Sequence, residues 1–415
     1  MAILRQNEFW LPEGNCTSYA TDASRDTLRR MKTIFVCSAG FGEGHNSAAR
    51  GILDALERLK PEGFRAEFLD LSGRVQPRRD AWLRGLYLWM LSRAPRAWAA
   101  VYRLVDRTRW LEAFPVVHSQ MRNALAEILA ADPPAAVVST YPFYGYLLDE
   151  VARRGGPRDF PRITVVTDSI SINSIWFRYQ NDCYLVPNQD TADAMQKLGV
   201  PGGILHVTGF PVSPRYADPL PPRPAIDDPE DGRRVLFIVN SQHHAAPALV
   251  RRLLRIPGVN LTVTAGRDDL LRAAIEAEGA LVPAGGGRLR AVLGWTREIP
   301  ELLASHHLVI SKAGGATVQE SIAAGCPMIL NQVAPGQEEG NADLLVRNEA
   351  GAVADGPDEV VAAVERAFSD HGAVGRAWGE AVARLSRPRA AYDVANFILA
   401  EIARREASRC AKTPP

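Results

Sequence analysis

The sixteen residues Ala217–Gly232 (ADPLPPRPAIDDPEDG) hold five prolines and five acidic side chains, and so belong to neither a core strand nor a helix. They divide a chain that otherwise repeats one pattern. Before the break, apolar β-branched runs at 33–37, 136–139, 163–167, 183–186 and 205–208 predict strands. After it the same pattern returns at 235–239, 261–264, 291–293, 307–311 and 328–330. Amphipathic stretches such as 48–59 and 121–131 predict helices between them. Continuous apolar strands separated by helices predict parallel sheets covered on both faces. Two such domains joined by a linker predict an α/β protein with a cleft between them, lined by the C-terminal ends of the strands.

A chain of 415 residues with 47% hydrophobic content can fill two such cores. Its formal net charge of +1 provides no global attraction for nucleic acid or membrane, so any attraction must be local. Cys16, Cys37, Cys183, Cys326 and Cys410 are odd in number and lack metal-ligand spacing, which predicts reduced thiols in a cytosolic protein. No apolar run is long enough to span a bilayer. Residues 1–31 have no signal-peptide core and are expected to form a poorly ordered extension, with Met31 an alternative start.

Two strand-to-helix turns carry the candidate chemistry. In SAGFGEGHNSAA (38–49), Gly40, Gly42 and Gly44 permit a tight turn and close approach by a ligand. His45 stands where that loop becomes a helix and can accept a proton. The string also fits a plain turn with a surface histidine. In SKAGGATVQESIAAGCPMILNQVAPGQEEGNA (311–342), Gly314 and Gly315 lead into a helix beginning near Ala316 or Thr317, whose free N–H groups suit a diphosphate. Glu320 follows one turn later, placed either to take ribose hydroxyls or to pair with Thr317 as a cap. Gln337, Glu338, Glu339 and Asn341 form a hydrogen-bonding cluster suited to a sugar, or a solvated loop.

The segment Arg78–Trp110 concentrates four of the eight tryptophans and eight arginines against two aspartates. Trp82, Leu86, Trp89, Met90 and Arg93 recur at helical spacing, predicting an apolar face with basic flanks that can lie in an anionic membrane interface. A core helix pair with a basic edge is the competing reading. No nucleic-acid-binding motif accompanies the arginines.

Together the two turns resemble the family of monogalactosyldiacylglycerol synthases and processive diacylglycerol glucosyltransferases. The peptidoglycan lipid-intermediate N-acetylglucosaminyltransferase is a more distant relative. The resemblance spans roughly residues 32–405, and PGQEEGNA is its most specific string. It implies a GT-B fold of two Rossmann-like domains facing a cleft, with a UDP-sugar donor in the C-terminal domain. It also implies a lipid acceptor in the N-terminal domain and inversion at the anomeric carbon. His45 then matches the family's base, Glu320 the ribose ligand, and Gln337 and Glu338 the sugar contacts. Gly294 and Trp295 fall where backbone holds the uracil, while Tyr87, Pro95, Trp98 and Tyr102 resemble the acceptor-side segment. VVTDSISINSIWF (165–177) matches the family's Thr-Asp run through Thr167, Asp168 and Trp176, but Asn173 replaces its histidine. The loop NSQHHAAP (240–247) replaces the usual glycines near the phosphates, leaving Ser241 and Gln242 as candidate donor contacts.

The expected domains are 32–216 for the acceptor and membrane, 217–232 as linker and 233–380 for the donor. Residues 381–415 should add a helix packing back on the first domain, then a tail. The expected chemistry is general-base catalysis by His45, with Asp168 as its partner or that of the acceptor. No cofactor is expected, and no metal, since the sequence has no DxD. The expected location is cytoplasmic, peripheral to the inner face of the cell membrane. A UDP-sugar 2-epimerase, a UDP-N-acetylglucosamine transferase with another lipid-linked acceptor, and a non-catalytic UDP-sugar binder remain as rivals.

Overall fold

The computed structural model describes residues 31–41, 43–113, 118–239, 245–336 and 338–411. Its first half runs β1 (Lys32–Cys37), α1 (Glu43–Leu59), β2 (Phe64–Leu69), α2 (Leu71–Val75), α3 (Pro77–Arg93), α4 (Pro95–Arg107), α5 (Trp110–Ala113) and α6 (Ser119–Ala131). It continues through β3 (Ala136–Ser139), α7 (Phe143–Arg153), β4 (Arg162–Val165), β5 (Cys183–Val186), α8 (Gln189–Lys197) and β6 (Leu205–Val207). These strands form one parallel sheet in the order β2-β1-β3-β4-β5-β6. The chain leaves β1 towards β2 and leaves β3 the opposite way, towards β4. A crevice therefore opens at the C-terminal ends of β1 and β3, where α/β sheets place ligands.

The second half runs β7 (Arg234–Ile238), α9 (Ala246–Leu253), β8 (Asn260–Thr264), α10 (Asp269–Gly279), β9 (Arg288–Leu293), α11 (Ile299–Ser305), β10 (Leu308–Lys312) and α12 (Gly315–Ala323). It ends with β11 (Met328–Gln332), α13 (Glu339–Arg347), β12 (Gly351–Val353), α14 (Pro357–Phe368), α15 (Ala373–Leu385) and α16 (Ala390–Cys410). Its sheet is also parallel, ordered β12-β11-β10-β7-β8-β9, so the equivalent crevice lies between β7 and β10.

Strand alternation fills both faces of each sheet. On β1, Ile34 and Val36 pack against Ile52, Leu56 and Val138, while Phe35 and Cys37 face Leu125, Val137 and Leu147. The long helix α16 lies against α1 and inserts Val394, Ala395, Ile398 and Ile402 into the first of these layers. Thus the chain's last helix completes its first domain. Between the sheets, Pro214–Ala217 forms a 3-10 turn, and residues 218–232 contain neither helix nor strand. The segment is nonetheless strapped down: Ile226 packs on the second core, and Arg223 donates to the Gly325 carbonyl at 3.0 Å.

The two domains touch across the cleft. A Cβ on Gly340 would stand 1.8 Å from the Ser169 carbonyl oxygen, so only glycine permits this approach. Residues 1–30, including Cys16 and the expected extension, lie outside the described residues.

Candidate active site

His45 sits in the first turn of α1, immediately after the loop that leaves β1. Its ring is buried, with Tyr141 edge-on at 5.1 Å and Trp176 at 5.8 Å. Nδ1 lies 2.8 Å from the Thr167 hydroxyl at the end of β4. Thr140, at the end of β3, donates to the His45 carbonyl at 3.0 Å and fixes the backbone. Burial lowers the imidazole pKa to about 4, so the ring is neutral near pH 7. When Nδ1–H donates to Thr167, Nε2 carries the lone pair and can accept a proton.

The loop itself is held by α3. The Arg84 guanidinium lies against Gly40, where a Cβ would be 1.7 Å from Nη1, and it pairs with Asp70 at 2.8 Å and Asp80 at 2.5 Å.

Asp168 was expected to partner either His45 or the acceptor. Its Oδ2 accepts from Trp176 Nε1 at 2.7 Å, and Thr167 makes the contact with the histidine. Burial raises the Asp168 carboxyl to about 6, against the lowering effect of the Trp176 bond. Asn173 caps the following 3-10 turn, accepting from Ile175 N at 3.1 Å, and donates to the Tyr102 carbonyl at 3.2 Å.

Opposite His45 stands the start of α12. The helix begins at Gly315, one residue or two earlier than the sequence predicted, with Gly314 as its N-cap, and no side chain among the described residues caps it. The N–H groups of the first turn, which includes Gly315 and Thr317, therefore retain their donor capacity. A Cβ on Gly44 would lie 3.9 Å from the Ala316 nitrogen, and one on Gly315 3.3 Å from the Thr167 carbonyl. The helix start of one domain thus abuts the histidine loop of the other. One turn further, Glu320 accepts from Ser47 Oγ of α1 at 3.4 Å. Burial raises its carboxyl to about 7, with Ser47 and the Arg50 charge acting the other way.

Glu338 is buried, and its two oxygens accept from Lys312 Nζ at 2.5 Å and Ala334 N at 3.0 Å. It locks the loop to the end of β10, so its carboxylate is engaged by protein on both sides. Asn341 is buried too; Nδ2 donates to the Ala313 carbonyl at 3.0 Å, while Oδ1 has no hydrogen-bond partner among the described residues. Trp295 presents its side chain as well as its backbone, half exposed beneath Arg267 at 5.2 Å and Arg297 at 5.7 Å. With Ser47, Arg50, Arg215 and Glu320 it lines a cleft of about 1150 Å³. Gly42, Ser241, Gln242 and Gln337 lie outside the described residues.

The helices α3 and α4 form a hairpin with two different faces. Trp82 (65% exposed), Trp89 (57%) and Leu88 (60%), with Leu86, Val101 and Leu104, point outward. Arg78, Arg79, Arg93, Arg96, Arg103 and Arg107 are exposed around them. Tyr87 and Trp98 turn inward, meeting edge to face at 4.9 Å, and Tyr87 also meets Phe41 at 6.2 Å. Trp176 and Asn173 are buried. Tyr87 and Trp98 are half-buried, so none of these four acceptor-side candidates shares the outward face of Trp82 and Trp89. Sequence reasoning did not single out Ser47, Arg84 and Lys312. A serine two residues after His45 was the only available hint for the first, and the other two become visible only through contacts distant in sequence. Among the described residues, no three His, Cys, Asp or Glu side chains group as metal ligands, and no helix is long and apolar enough to cross a membrane.

Residues 45–212 match the family model described as Monogalactosyldiacylglycerol (MGDG) synthase. The processive diacylglycerol beta-glucosyltransferase of Bacillus subtilis (strain 168) is 26% identical over 349 residues, covering 83% of this chain and 88% of the relative. MurG of Acinetobacter baumannii superposes with a TM-score of 0.57 at 15% identity, over 89% of this chain and 99% of that one. The Medicago truncatula protein UGT71G1, solved with UDP-glucose, gives 0.59 at 12% identity, over 91% and 100%. The shared fold is GT-B.

Proposed function

We propose, for a chain that carries a domain of the monogalactosyldiacylglycerol synthase family and is a glycosyltransferase of the GT-B fold, that it moves a hexose from a UDP-sugar to diacylglycerol or a similar membrane lipid. The observation that carries this reading is the neutral, buried His45, oriented by Thr167, facing the uncapped start of α12 in the other domain.

In this reading His45 Nε2 takes the proton of the acceptor hydroxyl. The freed oxygen attacks the anomeric carbon, and the bond from that carbon to the diphosphate oxygen breaks on the opposite face, inverting the configuration. UDP departs with the bonding electrons. The first-turn N–H groups of α12 and the nearby Lys312 ammonium meet that charge, with no metal required. Glu320 accepts the ribose hydroxyls, Trp295 flanks the uracil, and Asn341 Oδ1 faces the donor.

The hairpin supports a lipid acceptor. Its exposed tryptophans and leucines share two helices with six exposed arginines, the composition of an interfacial helix. The hairpin also supports a peripheral seat on a membrane surface, and we propose the inner face of the cell membrane as that surface.

The test offers UDP-glucose, UDP-galactose and UDP-N-acetylglucosamine together with diacylglycerol in anionic vesicles. The expected products are UDP and a glycolipid of inverted anomeric configuration. An epimerised free UDP-sugar without glycolipid would make the chain an epimerase. Binding of UDP-sugar without turnover of any acceptor would make it a binding protein.

A further inference from the structure

One side chain carries the hairpin into the donor domain. The Tyr102 ring, on α4, lies 3.3 Å from where a Cβ on Gly336 would stand, in the loop between β11 and α13. Gly336 has φ +85°, so the loop turns there on glycine, and the Glu338 carboxylate closes it by accepting from Ala334 N at 3.0 Å.

The Tyr102 hydroxyl is buried, and among the described residues it makes no well-formed hydrogen bond. The neighbouring Asn173 amide approaches the phenol oxygen as a donor and opposes the rise in its pKa, while it also donates to the Tyr102 backbone carbonyl at 3.2 Å; neither contact gives the phenol O–H an acceptor. Burial first, then the nearby Asp168, Asp106 and Glu339 carboxylates, hold the phenol proton on far above its ordinary range, so the group is a donor at any working pH. A buried donor without an acceptor is costly and marks a place where a partner is missing.

The support beneath Tyr102 is firm. One turn along α4, Asp106 Oδ1 accepts from Ser174 N at 2.6 Å, and the Asp106 carbonyl accepts from Ser174 Oγ at 2.6 Å. Arg178 donates to the Thr108 and Asp106 carbonyls at 2.6 and 2.8 Å. Ser174 begins the 3-10 turn that ends in Trp176, the residue bonded to Asp168. Tyr102 and Asp168 therefore belong to one frame.

We propose that the Tyr102 hydroxyl donates a hydrogen bond to a hydroxyl of the hexose being transferred, making Tyr102 a specificity-determining residue supplied by the exposed hairpin. The inference rests on the UDP-hexose reading above. It assigns Tyr102 to the donor sugar because the surface it touches is the donor-domain loop.

The test compares wild type with Tyr102→Phe, which keeps the ring and its packing on Gly336. Calorimetry measures UDP, UDP-glucose and UDP-galactose, then singly deoxygenated UDP-hexoses, alongside a melting curve. The variant should keep its Tm and its UDP affinity while binding its preferred UDP-hexose about 3- to 10-fold more weakly. That loss should vanish for the one deoxy donor lacking the partner hydroxyl. Equal weakening of UDP and UDP-hexose, with a lower Tm, would make Tyr102 a packing residue only. Unchanged UDP-hexose binding, or a loss confined to the KM for the lipid, would likewise overturn the assignment while leaving the functional reading standing. If the wild type binds neither UDP nor any UDP-hexose, the functional reading itself falls.

Discussion

Glu320→Gln should stabilise the ligand-free protein and weaken its hold on UDP, two effects of opposite sign at one side chain. Burial lifts this carboxyl from 4.5 to about 7, and the Ser47 hydroxyl at 3.4 Å and the Arg50 charge only partly oppose it. At about 1.4 kcal/mol for each pH unit of displacement, carrying the charge costs the folded state about 3 kcal/mol at most. The folded protein holds this proton more tightly than the unfolded chain does. The associated stability is therefore fully present below 4.5 and is lost as pH rises through about 7. Glutamine is neutral throughout and escapes the loss. Urea unfolding without ligand should find the variant more stable by about 1–3 kcal/mol near pH 8, and by less than about 1 kcal/mol near pH 5. Hydrogen bonds to a charged group are worth about 1.5–3 kcal/mol, so UDP should bind the variant roughly 10- to 100-fold more weakly. UDP at about 100 times its Kd raises wild-type stability by about 2.7 kcal/mol, and the same concentration should do much less for the variant. A variant no more stable at pH 8 than wild type would refute the buried-charge argument. Equal stabilisation of both proteins by UDP would remove Glu320 from the site.

His45→Ala should lower transfer by about 10²–10⁴-fold with UDP affinity unchanged in calorimetry. Because burial holds the His45 pKa at about 4, its neutral form persists down to about pH 5, and a transfer rate that halves at 6.5 through loss of this base would contradict the assignment. Trp82→Ser with Trp89→Ser should reduce co-sedimentation with anionic vesicles and transfer to diacylglycerol, and the exposure of both side chains predicts an unchanged Tm. Gly340→Ala would bring a methyl group to 1.8 Å from the Ser169 oxygen and should cost about 1–3 kcal/mol or hold the cleft open, read by a melting curve and by the small-angle scattering radius.

Interior strands announced themselves in the sequence, and two of the four edge strands did not. The runs 33–37 and 235–239 are continuous apolar stretches and lie at the centre of their sheets. β2 (FRAEFL) alternates charge with apolar residues, and β12 has three residues, GAV; both are outermost strands with only one neighbour and passed unnoticed. The site divides along similar lines. His45, Gly314 and Glu320 announce themselves because their roles follow from a strand-to-helix turn, which is local. The ion pair of Glu338 was not legible, for the opposite reason. Its partner Lys312 lies 26 residues earlier, and an acid in a polar loop looks the same in sequence whether it faces a ligand or a lysine. The tryptophans of the hairpin show the same limit. Spacing identified the apolar stripe of Trp82 and Trp89, whereas which tryptophan turns inward depends on Tyr87, Phe41 and the histidine loop beyond them.

Helix α16 also sets the order in which this protein can be finished during synthesis. Val394, Ala395, Ile398 and Ile402 close the layer that contains Ile34, Val36 and Ile52, residues made roughly 360 positions earlier. Translation at about 5–20 residues per second leaves that apolar surface uncovered for some tens of seconds while the second domain emerges and folds. The domain that begins the chain is thus completed last, through contacts of very long sequence separation that local folding cannot supply. A nascent chain halted before residue 390 would display an open sheet face, which makes the first domain the chain's point of greatest exposure to aggregation and to chaperone capture.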